Sequence, residues 1–252
     1  MRLKDRVCVV TGSGQGIGAE IARRFADEGG KVAVVDINKE NADQVVKDIV
    51  NKGGKAISVA CDISDFKSVE EMANTVRKQL GPITVLVNNA GVTRPAMIHK
   101  MEESQFDKVI DVHLKGAWNC VRHTVQDMID QKYGKIINVT SAAGLMGTLG
   151  QVNYASAKMG LVGMIKALAT ELGIYNITAN AVAPVAATPM TDKIRTDPKM
   201  LETNLKRSVI KRFPEPEELA GTFVYLASAD SDLVTGVVIN ADAGMSSVTS
   251  MR

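Results

Sequence analysis

Tyr154 and Lys158 lie four positions apart in the segment QVNYASAKMG (151–160), with only alanine and serine between them. Residues four apart share one face of a helix, so the hydroxyl and ammonium groups can come close together. A cation about 4 Å away supplies roughly the 4 kcal/mol needed to bring the pKa of a tyrosine from about 10 toward 7. Tyr154 could then act as a general base toward an alcohol and a general acid toward a ketone. An ordinary amphipathic helix is the alternative interpretation.

Ser141 is the third polar residue of this set, thirteen residues before Tyr154. It follows the apolar run KIINVT, which predicts a strand, and so lies at the carboxyl end of that strand. From there its hydroxyl can hold the oxygen of a substrate.

A glycine-rich turn, TGSGQGIG (11–18), follows the first predicted strand. Glycines permit positive φ and let backbone N–H groups approach a phosphate, while the following helix directs its positive end there. Asp36 ends the next strand, where its carboxylate can accept hydrogen bonds from two ribose hydroxyls and repel a 2′-phosphate. Gln15 and Ile37 occupy positions where a cation would hold such a phosphate. The pattern predicts NAD as cofactor, with a purely structural turn as the alternative.

Predicted strands and helices that could position these residues alternate along the chain. Short β-branched runs are each followed by a segment with the period of a helix. The pattern predicts a Rossmann-type, doubly wound α/β fold, with a seven-stranded parallel sheet and helices on both faces, in a single domain, 1–252. A proline-containing segment at about 185–215 is predicted to be irregular and to form a lid over the carboxyl ends of the strands. A mobile surface insertion is the alternative. The predicted helices cover 16–28, 39–51, 66–79, 102–130 and 151–172.

Composition excludes several other classes of function. The formal charge of +2, with 23% charged residues, gives no broad basic field for a nucleic acid. The three cysteines are far apart and fit neither a disulfide framework nor a metal site. No apolar run is long enough for a membrane span, and the first residues lack a signal-peptide pattern. We therefore expect no metal, no nucleic-acid partner, no membrane segment and a cytoplasmic location.

The motifs TGSGQGIG, NNAG (88–91), Ser141, Tyr154 and Lys158 together resemble the classical short-chain dehydrogenase/reductase family over essentially the whole chain. The resemblance implies hydride transfer between a nicotinamide and the carbon of a secondary alcohol. It implies Ser141, Tyr154, Lys158 and His113 as catalytic residues, with Lys158 also binding the nicotinamide ribose. We expect cofactor contacts from Gly12, Ser13, Gln15, Gly16, Ile17, Gly18, Asp36, Ile37, Cys61, Asp62, Ile63, Asn89, Ala90, Gly91, Tyr154, Lys158, Pro184, Val185 and Thr188.

Two positions depart from the family pattern. His113, in DVHLKG (111–116), stands where the family usually carries the asparagine of its proton relay. A histidine can also bridge a water and pass protons, although a core histidine is the alternative. Val185 replaces the usual glycine after Pro184, and Thr188 lies one residue closer to that proline than is common.

Both departures resemble the (3R)-hydroxyacyl-CoA dehydrogenase unit of peroxisomal multifunctional enzymes, and 3-oxoacyl-carrier-protein reductases share the broader pattern. The resemblance implies a 3-hydroxyacyl thioester substrate. Asp36 differs from the NADP preference of typical biosynthetic reductases, which suggests oxidation as the direction. The competing hypotheses are another small secondary alcohol, such as a cyclic alcohol or polyol, and a catalytically silent NAD-binding subunit.

Two further expectations concern partners. The cations in NLKRSVIKRF (204–213) could hold the phosphates of a thioester carrier, or form a solvated helix face. The family resemblance implies a homotetramer, with 117–128 and 160–172 buried between subunits.

Overall fold

A seven-stranded parallel sheet forms the centre of the molecule in the computed structural model, which describes residues 1–248. The strand order is β3-β2-β1-β4-β5-β6-β7, and every neighbouring pair is parallel. The strand order reverses between β1 and β4. Open α/β sheets bind ligands at such a switch point, beside the carboxyl ends of the strands. The strands are β1 (Val7–Thr11), β2 (Lys31–Asp36), β3 (Lys55–Ala60), β4 (Val85–Asn88), β5 (Gly134–Val139), β6 (Ile177–Pro184) and β7 (Val238–Ala241).

Helices cover both faces of this sheet, which confirms the predicted doubly wound α/β fold. Side chains of α1, α2 and α10 pack on one face, and those of α3, α5 and α7 pack on the other. The helices are α1 (Gly16–Asp27), α2 (Lys39–Asn51), α3 (Phe66–Leu80), α4 (Glu103–Ile110), α5 (Gly116–Gln131), α6 (Ala142–Met146), α7 (Val152–Leu172), α8 (Asp192–Thr196), α9 (Pro198–Arg207) and α10 (Pro216–Ala227). Within residues 1–248, none of these helices is both long and apolar enough to cross a membrane.

The segment predicted as one helix over 102–130 differs from that expectation in its middle. Its backbone forms one π-helical turn, Asp111–Lys115, between α4 and α5. Such turns insert an extra residue into a helix and rotate the side chains that follow. His113 lies inside this turn and is buried. The π turn therefore sets the direction of a predicted site residue, which helical periodicity alone does not reveal.

The prediction that the segment at about 185–215 is irregular was wrong for 189–207. A short 3₁₀ turn and two helices, α8 and α9, occupy this segment. Asp197 caps α9 by accepting a hydrogen bond from the Met200 N–H, and Pro198 follows as the first helical residue. Proline is well suited to that position because its missing N–H would have no partner in the helix. Pro198 therefore starts a helix where the sequence pattern was taken to indicate a loop.

Candidate active site

Tyr154 and Lys158 project from the first turns of α7 toward Ser141, which begins α6 after the end of β5. The Lys158 Nζ lies 5.4 Å from the centroid of the Tyr154 ring and donates a 2.6 Å hydrogen bond to the Val139 carbonyl oxygen. The Ser141 side chain lies near enough to the Tyr154 hydroxyl to lower the pKa of that hydroxyl by hydrogen bonding. The structure thus brings together the three residues that the sequence predicts for acid–base chemistry.

Burial changes the proton affinities of this pair in opposite directions. It raises the pKa of the Tyr154 hydroxyl, and the hydrogen bond with Ser141 partly offsets that rise. Burial lowers the pKa of Lys158 to about 7, because water that would stabilise the ammonium is excluded. The expectation that Lys158 brings the tyrosine pKa down is thus opposed by desolvation. Before any ligand binds, Tyr154 carries its proton and is ready to act as an acid.

His113 packs its ring edge against the Tyr154 ring, with centroids 5.1 Å apart and planes at 86°. Its Nε2 lies 3.0 Å from the Val92 nitrogen and 2.8 Å from the Val92 oxygen, while Nδ1 is buried without a partner. Burial, together with the neighbouring Lys158 ammonium, lowers the pKa of His113 to about 3. A Cβ at Gly91 would lie 2.2 Å from this ring, so the glycine makes room for it. His113 is therefore a neutral imidazole next to the tyrosine.

The glycine turn after β1 is packed too tightly for side chains at two positions. A Cβ at Gly12 would lie 2.6 Å from the Ala90 Cα, and one at Gly18 would lie 2.3 Å from the Gly12 oxygen. Gly12 and Gly16 also adopt positive φ, at 62° and 58°. This geometry holds the backbone close to the amino end of α1. The turn therefore fits the diphosphate of a dinucleotide, which needs exposed N–H groups and a helix amino terminus.

Asp36 lies against the same turn. One carboxylate oxygen accepts the Gly14 N–H at 2.9 Å, and the other accepts the Asn38 N–H at 3.0 Å. A carboxylate has about four lone-pair sites, so acceptor capacity remains for hydroxyls of a ribose. Ile37 beside it is 71% exposed and offers no cation. The contact with Gly14 is one that the sequence analysis did not assign.

Several predicted cofactor residues use their polar atoms within the protein. The Ser13 hydroxyl is buried, donates to the Val10 oxygen and accepts the Val35 N–H. The Asn89 amide donates to the oxygens of Thr11 and Gly12. These two side chains therefore position the glycine turn through hydrogen bonds within the protein.

Predicted contacts at the end of β3 lie on the same edge of the sheet. Cys61 and Ile63 are buried, and Asp62 is partly exposed. The Asp62 carboxylate accepts both the N–H and the hydroxyl of Ser64, which lowers the pKa of that carboxyl. Gln15 and Ile17 border the glycine turn, with Gln15 exposed at the start of α1.

The proline loop folds back over the glycine turn despite its departures from the family pattern. Pro184 still pairs with Ala241 in the sheet, and the Val185 N–H donates to the Ala241 oxygen at 2.9 Å. The Thr188 methyl group lies 3.5 Å from the position of a Cβ built on Gly16. The loop therefore comes close to the predicted phosphate site through Thr188.

Most cations of the basic cluster in 204–213 have partners within the protein. Lys206 pairs with Glu202, Arg212 pairs with Glu218, and Lys211 donates to the Ser208 carbonyl at 2.6 Å. Lys211 also bonds two further carbonyls at the end of α9. Three of the four cations thus have internal partners, which favours the interpretation as a solvated helix face.

Thr11 is a further site residue that the sequence analysis missed. Its hydroxyl donates to the Val87 oxygen and accepts the N–H groups of Asn89 and Ala90. It therefore ties the end of β1 to the end of β4. Only its place after a β-branched run signalled this role, and that signal is common to many buried threonines.

Comparison with protein families identifies a model that matches residues 12–246, described as enoyl-(acyl carrier protein) reductase. Among curated proteins, a 3-oxoacyl-(acyl-carrier-protein) reductase of Thermotoga maritima is 44% identical, over 97% of this chain and 99% of the relative. One of Staphylococcus epidermidis is 39% identical, over 96% of this chain and 99% of the relative.

Solved structures include a gluconate 5-dehydrogenase of Burkholderia cenocepacia in complex with NADP and tartrate. It superposes with a TM-score of 0.95 at 30% identity and covers 98% of both chains. A levodione reductase has a TM-score of 0.94 at 31% identity, over 98% of this chain and 100% of its own. The same fold thus accompanies proteins named for different substrates.

Proposed function

The chain belongs to the short-chain dehydrogenase/reductase family and is an oxidoreductase, and from this premise we propose that it interconverts a 3-hydroxyacyl thioester and its 3-oxo form with NAD. The observation that carries the proposal is the convergence of Ser141, Tyr154 and Lys158 in one cluster, in which Lys158 is buried and the other two are partly buried. Two relatives named as 3-oxoacyl-(acyl-carrier-protein) reductases support the substrate class.

Tyr154 is proposed to move the proton of this reaction. In reduction its hydroxyl donates a proton to the ketone oxygen, and in oxidation the same oxygen accepts the proton of the alcohol. Ser141 holds the substrate oxygen by a hydrogen bond from its hydroxyl. The nicotinamide, when bound, supplies or accepts the hydride. Because burial keeps Tyr154 protonated, the free protein is already in the state that reduction requires.

Lys158 and His113 are proposed to support the tyrosine. Lys158 offers hydrogen bonds from a buried ammonium and binds the nicotinamide ribose. His113 takes the place of the family's relay asparagine, and its unpartnered Nδ1 can bind a water that connects the site to solvent. The lowered pKa of His113 supports a role as a neutral hydrogen-bonding group in this relay, since an imidazolium is disfavoured there.

The proposed cofactor is NAD rather than NADP because of Asp36. A phosphate on the ribose 2′ position would meet this carboxylate, and repulsion between them costs on the order of one to a few kcal/mol. The glycine turn of 12–18 holds the diphosphate, and Cys61, Asp62 and Ile63 lie at the adenine end. Asn89, Ala90, Gly91, Pro184, Val185 and Thr188 complete the proposed contacts. One structural neighbour is in complex with NADP, so the test below uses both cofactors.

A second candidate function is oxidation of another small secondary alcohol such as a polyol or cyclic alcohol. The gluconate 5-dehydrogenase and levodione reductase among the structural neighbours favour it, as does the internal pairing of the lid cations. A silent NAD-binding subunit is less well supported, because it has no need for Ser141, Tyr154 and Lys158 in contact.

The proposal extends to assembly, domain organisation and location. An apolar groove between α5 and α7 is lined by Leu114, Trp118, Gly160 and Met164, and Trp118 is 49% exposed. We propose that this groove is covered by a second copy in a homotetramer. The proposed single domain spans 1–252, of which 249–252 lie outside the described residues, and has a lid at about 185–215. The three free, buried cysteines support a reducing, cytoplasmic compartment.

The test follows NADH and NADPH absorbance with the purified protein. Substrates are acetoacetyl-CoA and 3-hydroxybutyryl-CoA, beside gluconate and a panel of free secondary alcohols. Turnover of the thioesters with a preference for NADH supports the proposal, and Asp36→Ala should then reduce that preference roughly tenfold or more. Turnover of a free alcohol alone would establish the second candidate. No turnover with any substrate would leave the silent subunit.

A further inference from the structure

Asn153 directly precedes Tyr154 in the first turn of α7 and is fully buried, with 0% of its surface exposed. Its amide nitrogen donates hydrogen bonds to the carbonyl oxygens of Arg94 and Gln105, each at 2.9 Å. Its amide oxygen accepts the backbone N–H of Tyr154 at 2.8 Å. The Asn153 amide thus uses both of its N–H donors and its oxygen, each with a different partner.

The two carbonyls that Asn153 binds belong to the segment 92–105, which connects the β4 edge of the site to α4. Val92 at its start is held by His113, and the Ala96 N–H donates to the Gly150 oxygen at 2.9 Å. The same segment exposes the apolar side chains of Met97 and Ile98, at 42% and 65%. Asn153 therefore joins this segment to the helix turn that carries the tyrosine.

Only an asparagine satisfies these three partners at this length. The first N–H groups of a helix have no partner within the helix, and the Tyr154 N–H is one of them. An amide supplies two donors and an acceptor on a short stem, whereas serine offers a single donor. An aspartate carboxylate would turn an acceptor toward two carbonyl oxygens, and a buried polar group without a partner is costly.

We propose that Asn153 is a positioning residue that couples the segment 92–105 to Tyr154 and so sets where the tyrosine hydroxyl meets the substrate. The reaction named here rests on the proposed function. The coupling itself rests on the three hydrogen bonds of Asn153.

The test compares Asn153→Asp with a matched control, Asn180→Asp. Asn180 is also buried, donates to the Val234 oxygen at 2.7 Å and accepts the Val237 N–H at 3.2 Å. Asn180 lies in β6, and neither of these two hydrogen bonds involves a proposed catalytic residue. Both variants place a carboxylate against a backbone carbonyl, so both lose stability. Turnover is measured per folded molecule, with NADH and acetoacetyl-CoA over a pH series, and hydrogen exchange is measured on the free protein.

Asn153→Asp is expected to lower kcat by roughly 30-fold or more at neutral pH, with NADH affinity within about twofold of wild type. As pH falls, part of the activity should return, because a protonated carboxyl regains one donor. Hydrogen exchange in 92–105 should accelerate. Asn180→Asp should show none of these three changes. If Asn153→Asp fails to fold, Asn153→Ser is used, with a smaller loss of kcat expected and the same faster exchange.

Equal behaviour of the two variants per folded molecule, with unchanged exchange in 92–105, would overturn the proposal and leave Asn153 a packing residue. The exchange readout needs no substrate. If the wild type turned over no thioester but exchange in 92–105 still accelerated only in Asn153→Asp, the proposed function would fail and the coupling would stand.

Discussion

Two tyrosine–lysine pairs, each with a buried lysine and a partly buried tyrosine, lie at opposite ends of β5. Tyr154 and Lys158 lie beside its carboxyl end, where Lys158 bonds the Val139 oxygen. Tyr133 and Lys135 lie at its amino end, with the Lys135 Nζ 5.5 Å from the Tyr133 ring centroid. The corresponding distance in the first pair is 5.4 Å. By residue type and distance the two pairs are nearly the same.

Their partners differ. Burial lowers the pKa of Lys135, and its 2.7 Å ion pair with Asp232 partly offsets that lowering. Lys158 has a carbonyl partner and no carboxylate in the described interactions, and burial alone lowers its pKa to about 7. The Arg6 guanidinium lies 3.6 Å over the Tyr133 ring, and the Tyr133 hydroxyl is buried without a partner.

Proximity of a tyrosine and a lysine therefore does not by itself make an acid–base site. A counterion holds Lys135 as a structural cation, while Lys158 can exchange its proton near neutral pH. Tyr154 also has Ser141 at its hydroxyl and lies at the edge of the sheet where ligands bind. Tyr133 has neither.

Removing the tyrosine hydroxyls is expected to give the largest difference in turnover between the two pairs. Tyr154→Phe is expected to lower turnover by roughly 100- to 10,000-fold, because it removes the group that transfers the proton. NADH affinity, measured by fluorescence titration, should change little. Tyr133→Phe serves as the matched control and should leave turnover within about twofold.

A loss of turnover in Tyr133→Phe comparable to that in Tyr154→Phe would erase the distinction between the two ends of β5. Retention of a tenth or more of wild-type turnover in Tyr154→Phe would remove the tyrosine from the reaction.

Replacing the two lysines by methionine is also expected to affect the two pairs differently. Lys158→Met is expected to reduce turnover by roughly 100-fold, and Lys135→Met should leave it unchanged, since Asp232 is 55% exposed and can be hydrated. The folded-state pKa of Lys158, about 7, lies below its unfolded value, so wild type loses stability as pH falls from about 10 to 7. Lys158→Met should lack this dependence in denaturant titrations. An identical pH dependence in wild type and Lys158→Met would contradict the burial of an uncompensated ammonium.

His113 is expected to make the folding stability depend on pH, and this contribution arises only at the carboxyl end of β5. Its pKa of about 3 in the folded state lies below the unfolded value, so the unfolded chain binds more protons below about pH 6.5. Stability should therefore fall as pH falls, by about 2 kcal/mol between about pH 6.5 and 5 from this residue. The difference between wild type and His113→Gln in urea unfolding measures this contribution. Parallel curves for the two proteins would mean that the imidazole protonates freely in the fold.

The smallest effect concerns the stability of Tyr133→Phe. Its hydroxyl has no partner, so removing it should leave the free energy of unfolding unchanged or raise it by up to about 1 kcal/mol. Thermal unfolding at fixed pH measures the change. A loss of more than about 1 kcal/mol would show that the hydroxyl does have a stabilising contact.

Local patterns were sufficient for much of the fold and for the main site residues. The β-branched runs identified the strands, and the four-residue spacing identified the shared face of Tyr154 and Lys158. These features depend on neighbours in the chain. The glycine turn could be recognised for the same reason.

Other features depend on contacts between distant segments and could not be found this way. Ser13 is buried because Val10 and Val35 take its hydroxyl, and His113 is directed by a π turn and by the space over Gly91. Asn153 appeared as one of many polar residues at a helix start. Helix α9 was missed because Pro198 was interpreted as a helix breaker instead of the first residue of a helix.

The pH dependence of ketone reduction tests the central claim that Tyr154 is the proton donor at the carboxyl end of β5. The measured quantity is kcat/KM for acetoacetyl-CoA with saturating NADH. Because burial raises the pKa of Tyr154, the rate should be constant between about pH 6 and 8 and fall only at higher pH, where the tyrosine ionises. Loss of the Lys158 proton near pH 7 does not remove the donor, since a neutral lysine disfavours the tyrosinate further. A rate that falls tenfold per pH unit from about pH 6, or rises with pH, would contradict the account.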